Sequence, residues 1–453
     1  MSTELLAPLD LAFWHLESTE HPMHLGALAF FESDGEADSD SACDSAALAK
    51  LLAERAAAIP RLRMRVRPVW LPVGGAAWST AKDFDVRRHV RQIRLPDGDF
   101  AAHATEIAGE LMEQPLERGL PPWEMYVLTA PGSRAFAVLV KLHHALADGM
   151  RAVAIGAGIF DQIAGARAAG ARRVRSVPPR SWLPGPHQVV GFARERLEEV
   201  GRAVGISASV MRASRFDLWG ESALASGSSG TRRLGTAVLG LDDVLKIRRA
   251  AGGTANDVLL TVVAGGLRRW MLERGEPLPS GADPRALVPV SRRRPGSGAA
   301  CGNKLSAYLV GLPVSEADAW ARLTAVRRAM DRNKAEGPGR GAGAVAVLAD
   351  HLPPLAHRFG APIAGSAARM LFDVLVTSVP LPRSTLSLGG SPLRAIYPMA
   401  PLARGQSLAV ALSTYGGQVH VGLVADAEAV PDLDRLAGSL TEELATLLRA
   451  ATG

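Results

Sequence analysis

The sequence predicts an α/β protein built from more than one domain. Three observations lead there. Short apolar, partly β-branched runs such as Phe136–Leu142 and Ala286–Val290 alternate with longer stretches of helical period such as Phe100–Glu113 and Asp432–Arg449. A length of 453 residues allows two or three domains. Residues 166–232 form a basic, Pro-rich linker, which separates a unit over residues 1–165 from one over residues 233–453.

Composition narrows the class. An apolar share of 47% and a charged share of 21% are those of a globular protein. No run of eighteen apolar residues occurs, so no membrane-crossing helix is expected. Met1–Leu9 lacks the basic-then-apolar order of a secretory signal. Cys43 and Cys301 are the only cysteines and read as free thiols of a reducing cytoplasm. The net charge of +6 favours anionic partners such as acidic lipid headgroups. Nucleic acid is disfavoured: only 5% of residues are aromatic, and none interleave with basic ones as a stacking surface.

In the N-terminal unit, Asp10 is placed to cap a short helix through Glu17, and Leu25–Phe31 reads as a strand. Residues 46–58 are helical and end at Pro60. Arg61–Trp70 alternates basic and apolar residues, as a strand with a solvated basic face does. Prolines then fix a turn before Trp123, which offers either a large apolar wall to a ligand or a core filler.

The chemistry concentrates where strand 136–142 ends. His143 and His144 follow it directly, with Asp148 and Gly149 just behind and a helical run over 150–160. Successive side chains of a strand point to opposite faces. One histidine can therefore enter a cleft while the other packs or hydrogen-bonds, and joint metal chelation is disfavoured. Imidazole is the side chain suited to taking a proton from a hydroxyl near neutral pH. A satisfied core histidine is the bland alternative. Asp148 can fold back on the local backbone or reach a distant arginine, and Gly149 permits a tight turn or close packing.

Residues 166–216 carry five arginines between 167 and 180, four prolines, and an amphipathic stretch over 192–204. Two readings stay open: contact with an anionic lipid surface, or a solvated crossover. Beyond it, 236–241 is a strand, 241–251 a helix, and 254–270 a helix capped near Thr254 with Asn256 and Asp257 in its first turn. Ala286–Arg294 is a strand ending in three arginines, and Phe372–Val379 another strand. The Gly-rich run at 337–343 lacks the lysine of a phosphate loop.

His143-His144-Ala145-Leu146-Ala147-Asp148-Gly149 matches the HHxxxDG motif of CoA-dependent acyltransferases, a superfamily including chloramphenicol acetyltransferase and peptide-synthetase condensation domains. Pro22-Met23-His24-x-Gly26, Pro115–Glu124, Asn256-Asp257, Pro289-Val290-Ser291-x-Arg293 and Gly302-Asn303-x-x-Ser306 follow in the right order. Together they make the chain resemble the bacterial wax ester synthase/diacylglycerol acyltransferase family from about Pro8 to Leu448. One element departs. Ser378 stands where the family commonly has Asn, and Leu381 where it has Gly.

The resemblance implies two chloramphenicol-acetyltransferase-like α/β domains with mixed sheets and an active site in a tunnel between them. It implies acyl transfer from acyl-CoA to diacylglycerol or a long-chain fatty alcohol, with no cofactor or metal and acyl-CoA as substrate. His144 is then the general base, His143 orients or packs, and Asn256 donates to the oxyanion. Asp148 with Arg293 holds the loop, supported by Gly149 and Asp257, while Trp123 and Ser378 touch substrate. The implied location is the cytoplasm, with peripheral contact at the inner membrane or lipid droplets. Two other readings compete: acylation of a different alcohol or amine, and a non-catalytic lipid-surface protein that keeps the fold.

Overall fold

The computed structural model describes residues 4–33, 44–162, 224, 229–278, 283–291, 305–336, 358, 371–382 and 384–452. The N-terminal half runs β1 (Glu4–Leu5), α1 (Pro8–Leu16), β2 (His24–Glu32), α2 (Ser45–Ala57), β3 (Met64–Pro68), β4 (Ala76–Thr80), β5 (Val90–Arg94), α3 (Phe100–Glu113), β6 (Trp123–Thr129), β7 (Ala135–His143) and α4 (Gly149–Ala157). The C-terminal half begins with β8 (Arg232–Gly240), α5 (Leu241–Ala251), α6 (Ala255–Glu273), β9 (Arg285–Ser291), β10 (Leu305–Gly311) and α7 (Ala319–Glu336). It ends with β11 (Val374–Pro380), β12 (Ser387–Leu388), β13 (Ser391–Met399), β14 (Leu408–Tyr415), β15 (Gln418–Asp426) and α8 (Leu433–Thr452).

Two six-stranded mixed sheets organise the molecule, in the orders β12-β13-β2-β7-β6-β5 and β10-β9-β11-β14-β15-β8. In the first, β5 runs parallel to β6; in the second, β11 is parallel to both β9 and β14. A small sheet, β1-β4-β3, stands beside the first. The halves are not contiguous blocks. β13 lies antiparallel to β2, so residues 387–399 of the C-terminal half complete the N-terminal sheet. The crossing is tight: a Cβ on Gly422 of β15 would overlap the Pro398 carbonyl of β13, so only glycine fits there.

Local chemistry explains most boundaries. Asp44 accepts hydrogen bonds from the amides of Ala46 and Ala47, both at 3.0 Å, and starts α2. Asp99 starts α3 in the same way. Thr254 and Asp257 form a reciprocal capping box on α6. The cap expected at Asp10 is elsewhere. Ala7 takes that position, Pro8 supplies the first turn, and Asp10 is buried inside it, where the helix dipole favours its charge. The strand expected from Arg61 opens as a 3₁₀ turn, Pro60–Arg63, because proline fixes the backbone there. Its basic face is only partly solvated: the Arg61 guanidinium lies 3.9 Å from the centre of the Trp78 ring.

Candidate active site

β7 delivers the two histidines, and backbone bonds fix their turn. The His143 amide donates to the Pro122 carbonyl at 3.0 Å, and the His144 amide to Met23 at 2.8 Å. The Ala145 amide donates to His143 Nδ1 at 2.9 Å. That nitrogen is therefore the acceptor of the ring, so the proton sits on Nε2. Nε2 faces the Glu17 carboxylate at 3.4 Å. His144 leaves the strand in another direction and stacks on Phe13, with ring centres 3.9 Å apart. Burial holds its imidazole down to about 4, so it is neutral at cellular pH and able to accept a proton.

Glu17 was not legible as a site residue. It lies one residue beyond α1, its side chain is buried, and it gathers four partners. His143 is one; His24, the register partner of His143, is another at 3.2 Å. The Met23 amide and the Arg118 guanidinium complete the set. Burial opposes the charge, but contacts with His143, His24 and Arg118 hold the Glu17 carboxyl well below the usual carboxylate range. Arg118 also covers the Trp14 ring, which leans on His143. The only sequence signal was an acidic residue closing an otherwise apolar, aromatic helix.

Lys141 lies two residues before His143 on the same face of β7 and is fully buried. It donates to the carbonyls of Leu111, at 2.7 Å, and Gln114 at the end of α3, and stands 3.8 Å from Glu124. A cation there answers the negative end of the α3 dipole. Burial lowers its pKa to about 8, against the pull of Glu124 and Glu17. Opposite it, a side chain at Gly26 would collide with the Val140 carbonyl and Met112, which accounts for glycine in the Pro-Met-His-x-Gly run.

Asp148 is the N-cap of α4, accepting from the Arg151 amide at 2.7 Å, and is buried. Leu142 and Gly149 flank the histidine turn, and both line an apolar cavity of about 150 Å³ that is partly open to solvent. Its walls come from β2, β7 and α4 of one half and from β11, β13 and β14 of the other. Thr377, Val379, Leu381 and Pro382 belong to it.

Two expected substrate contacts are placed elsewhere. Trp123 is wholly buried, donates its indole N–H to the Leu62 carbonyl at 2.6 Å and stacks on His89. It offers no surface to a ligand, so packing is its role. Ser378 is exposed on the face of β11 opposite to Thr377 and Val379. Asn256 is half-exposed in the first turn of α6, and Asp257 beside it serves the cap. Arg293 and the segment 166–216 lie outside the described residues.

The profile of the wax ester synthase/diacylglycerol acyltransferase catalytic domain matches residues 6–259, and that of the family's C-terminal domain matches residues 301–448. The chain belongs to this family. It is an acyl-CoA-dependent O-acyltransferase. A probable diacylglycerol O-acyltransferase of Mycobacterium tuberculosis is 29% identical over 464 residues, covering 99% of both chains. The solved wax ester synthase/diacylglycerol acyltransferase from Marinobacter aquaeolei shares the fold, with a TM-score of 0.70 at 24% identity over 99% of this chain and 100% of that one. Trichothecene 15-O-acetyltransferase from Fusarium sporotrichioides is similar at a TM-score of 0.62 and 12% identity, over 98% and 95% of the two chains. The expected two-domain fold with mixed sheets is thus the one observed.

Proposed function

We propose that His144 is the general base that moves a fatty acyl group from acyl-CoA to the hydroxyl of diacylglycerol or a long-chain alcohol. The imidazole takes the hydroxyl proton as the oxygen attacks the thioester carbonyl. The tetrahedral intermediate then collapses, an ester forms, and the departing CoA thiolate takes the proton back from His144. Asn256 donates to the oxyanion, a contact typically worth about 3–4 kcal/mol. Asp148, with Arg293, holds the turn. No cofactor enters this scheme.

One observation carries the reading: Leu142 and Gly149, the two residues that bracket the histidine turn, line the apolar cavity. An acyl chain laid there puts its carbonyl end near His144. The cavity is the acyl arm of the proposed tunnel. The acceptors named by the relatives are lipids, so the reading includes peripheral contact with a membrane or droplet surface. No helix among the described residues is long and apolar enough to cross a membrane. Leu381, standing where the family commonly has glycine, lines the same cavity and narrows it, which favours keeping an unusual acyl or acceptor group as a second reading.

The test is thiol release from palmitoyl-CoA by purified protein, with diacylglycerol and hexadecanol offered separately. Release that needs an acceptor and disappears in His144→Ala is expected. Near-normal turnover in folded His144→Ala would remove His144 from the mechanism.

A further inference from the structure

The tip joining β3 to β4 reads Val69-Trp70-Leu71-Pro72-Val73. Trp70 is 86% exposed, Leu71 44% and Val73 52%, and Leu5 on the neighbouring β1 is 44% exposed. Among the described residues the other large apolar side chains so exposed are Val238 and Leu272, far along the sequence. Four of the six therefore share the small β1-β4-β3 sheet. The tip is held in shape. The Val69 amide donates to Gly75 at 3.1 Å, the Gly75 amide to Pro72 at 2.8 Å, and His15 Nε2 donates to the Gly74 carbonyl at 3.2 Å.

The hairpin's own segment carries charge of one sign, while Glu4 beside Leu5 on β1 and Asp83, which pairs with Arg65, carry the other. From Pro60 to Lys82 the chain carries Arg61, Arg63, Arg65, Arg67 and Lys82, and no Asp or Glu. Arg63 and Arg67 are exposed, and Arg67 forms no ion pair among the described residues. Exposed indole and aliphatic groups beside the Arg67 guanidinium match an anionic interface, with the ring at headgroup level and the cation on phosphate. A second copy of the chain would bring the same positive charge to the contact and be repelled.

We propose that the Val69–Val73 tip, with Leu5 and Arg67, is a wedge that docks the enzyme on an anionic phospholipid surface. The inference rests on the reading that the acceptor is a lipid. Its geometry links docking to the site. Phe13, Trp14 and His15 are consecutive on α1; they touch His144, His143 and the hairpin respectively. One rigid helix thus spans the distance from the proposed base to the wedge. An enzyme seated on the wedge has its histidine turn held against the layer that stores its acceptor.

The test uses the full chain and co-sedimentation with vesicles of phosphatidylcholine alone or mixed equally with phosphatidylglycerol. The wild type is expected to bind the mixed vesicles, and less well in high salt. Trp70→Ala/Val73→Ala should weaken binding about tenfold or more, and Arg67→Glu should remove most of the preference for phosphatidylglycerol. Thiol release with a detergent-dispersed acceptor should stay at the wild-type rate in both variants. Trp70→Phe should bind normally but lose the vesicle-induced blue shift of tryptophan fluorescence. The proposal is overturned if the wild type ignores vesicles, if the double variant binds as well as the wild type, or if the double variant changes only the oligomeric state. Vesicle binding through Trp70 without acyl transfer to any lipid alcohol would instead leave the wedge standing and defeat the acceptor assignment.

Discussion

Replacing Glu17 by glutamine tests whether the first histidine is aimed by a buried charge. The substitution keeps the size and one carbonyl oxygen but removes the negative charge shared by His143, His24 and Arg118. Hydrogen bonds to charged groups are roughly twice as strong as neutral ones. The two histidine contacts are long, 3.4 and 3.2 Å, and Arg118 is half-exposed, so that third contact is discounted. A loss of about 1 kcal/mol per histidine contact follows. If the loss reaches the turn that presents His144, kcat falls about 10–30-fold, since each 1.4 kcal/mol is a tenfold change. KM for acyl-CoA should hold, because Glu17 does not line the cavity. Steady-state thiol release separates the two. Stability gives a second readout. Folding depresses the Glu17 pKa, so its contribution is present above the unfolded value of about 4.3 and fades as pH falls through the lower folded value. The Tm gap between wild type and Glu17→Gln should be widest near neutrality and close in acid. Wild-type kcat with a Tm gap that ignores pH would refute the reasoning.

Other consequences follow from the same geometry. The acid limb of kcat/KM should be centred near 4 rather than at the ordinary imidazole value of about 6.5, because burial keeps His144 neutral; a midpoint at the ordinary value would contradict the buried ring. Both His24 and His144 are held near 4, so the unfolded chain binds more protons between about 6.5 and that value, and thermal stability should fall as pH drops through the window. Lys141→Met should destabilise the fold by about 3–5 kcal/mol, since it strips the cation from Glu124 and from two α3 carbonyls; urea denaturation reads this, and an unchanged midpoint would contradict it. Gly156 lines the cavity, and a Cβ there meets nothing within 4 Å. Gly156→Leu should fill acyl space, lowering kcat/KM for palmitoyl-CoA at least tenfold relative to butyryl-CoA, at roughly 0.8 kcal/mol per displaced methylene; an unchanged ratio would place the chain elsewhere.

Much of the architecture was legible because it is local. Helix starts at Asp44, Asp99 and Thr254 follow from a side-chain oxygen meeting free amides, and the β7 run announces itself by continuous apolar residues. What escaped reading is non-local. No periodicity shows that β13, far along the chain from β7, will add itself to the N-terminal sheet; only its antiparallel pairing with β2 reveals it. Glu17 and Lys141 look like surface charges in sequence, and only the fold shows them buried against histidines and helix carbonyls. Trp123 was open between wall and core because both need a large apolar residue; the indole bond to Leu62 decides for core.

The HHxxxDG spacing itself acquires a physical meaning from these contacts. His143 uses Nδ1 to close the turn onto the Ala145 amide and Nε2 to face Glu17. Asp148 uses a carboxylate oxygen to start α4, and Gly149 lines the cavity, where an added Cβ would lie 3.8 Å from Val379. Three of the four signature residues are thereby committed to shaping backbone or cavity. His144 stacks on the Phe13 ring, and burial keeps it neutral. A spacing of one residue between the histidines sends their rings in different directions at the strand end, one to Glu17 and the other to Phe13. A spacing of four between His144 and Asp148 leaves room for the tight turn before α4. The motif is therefore a recipe for a rigid turn between strand and helix, with Leu142 before it and Gly149 after it lining an apolar cavity.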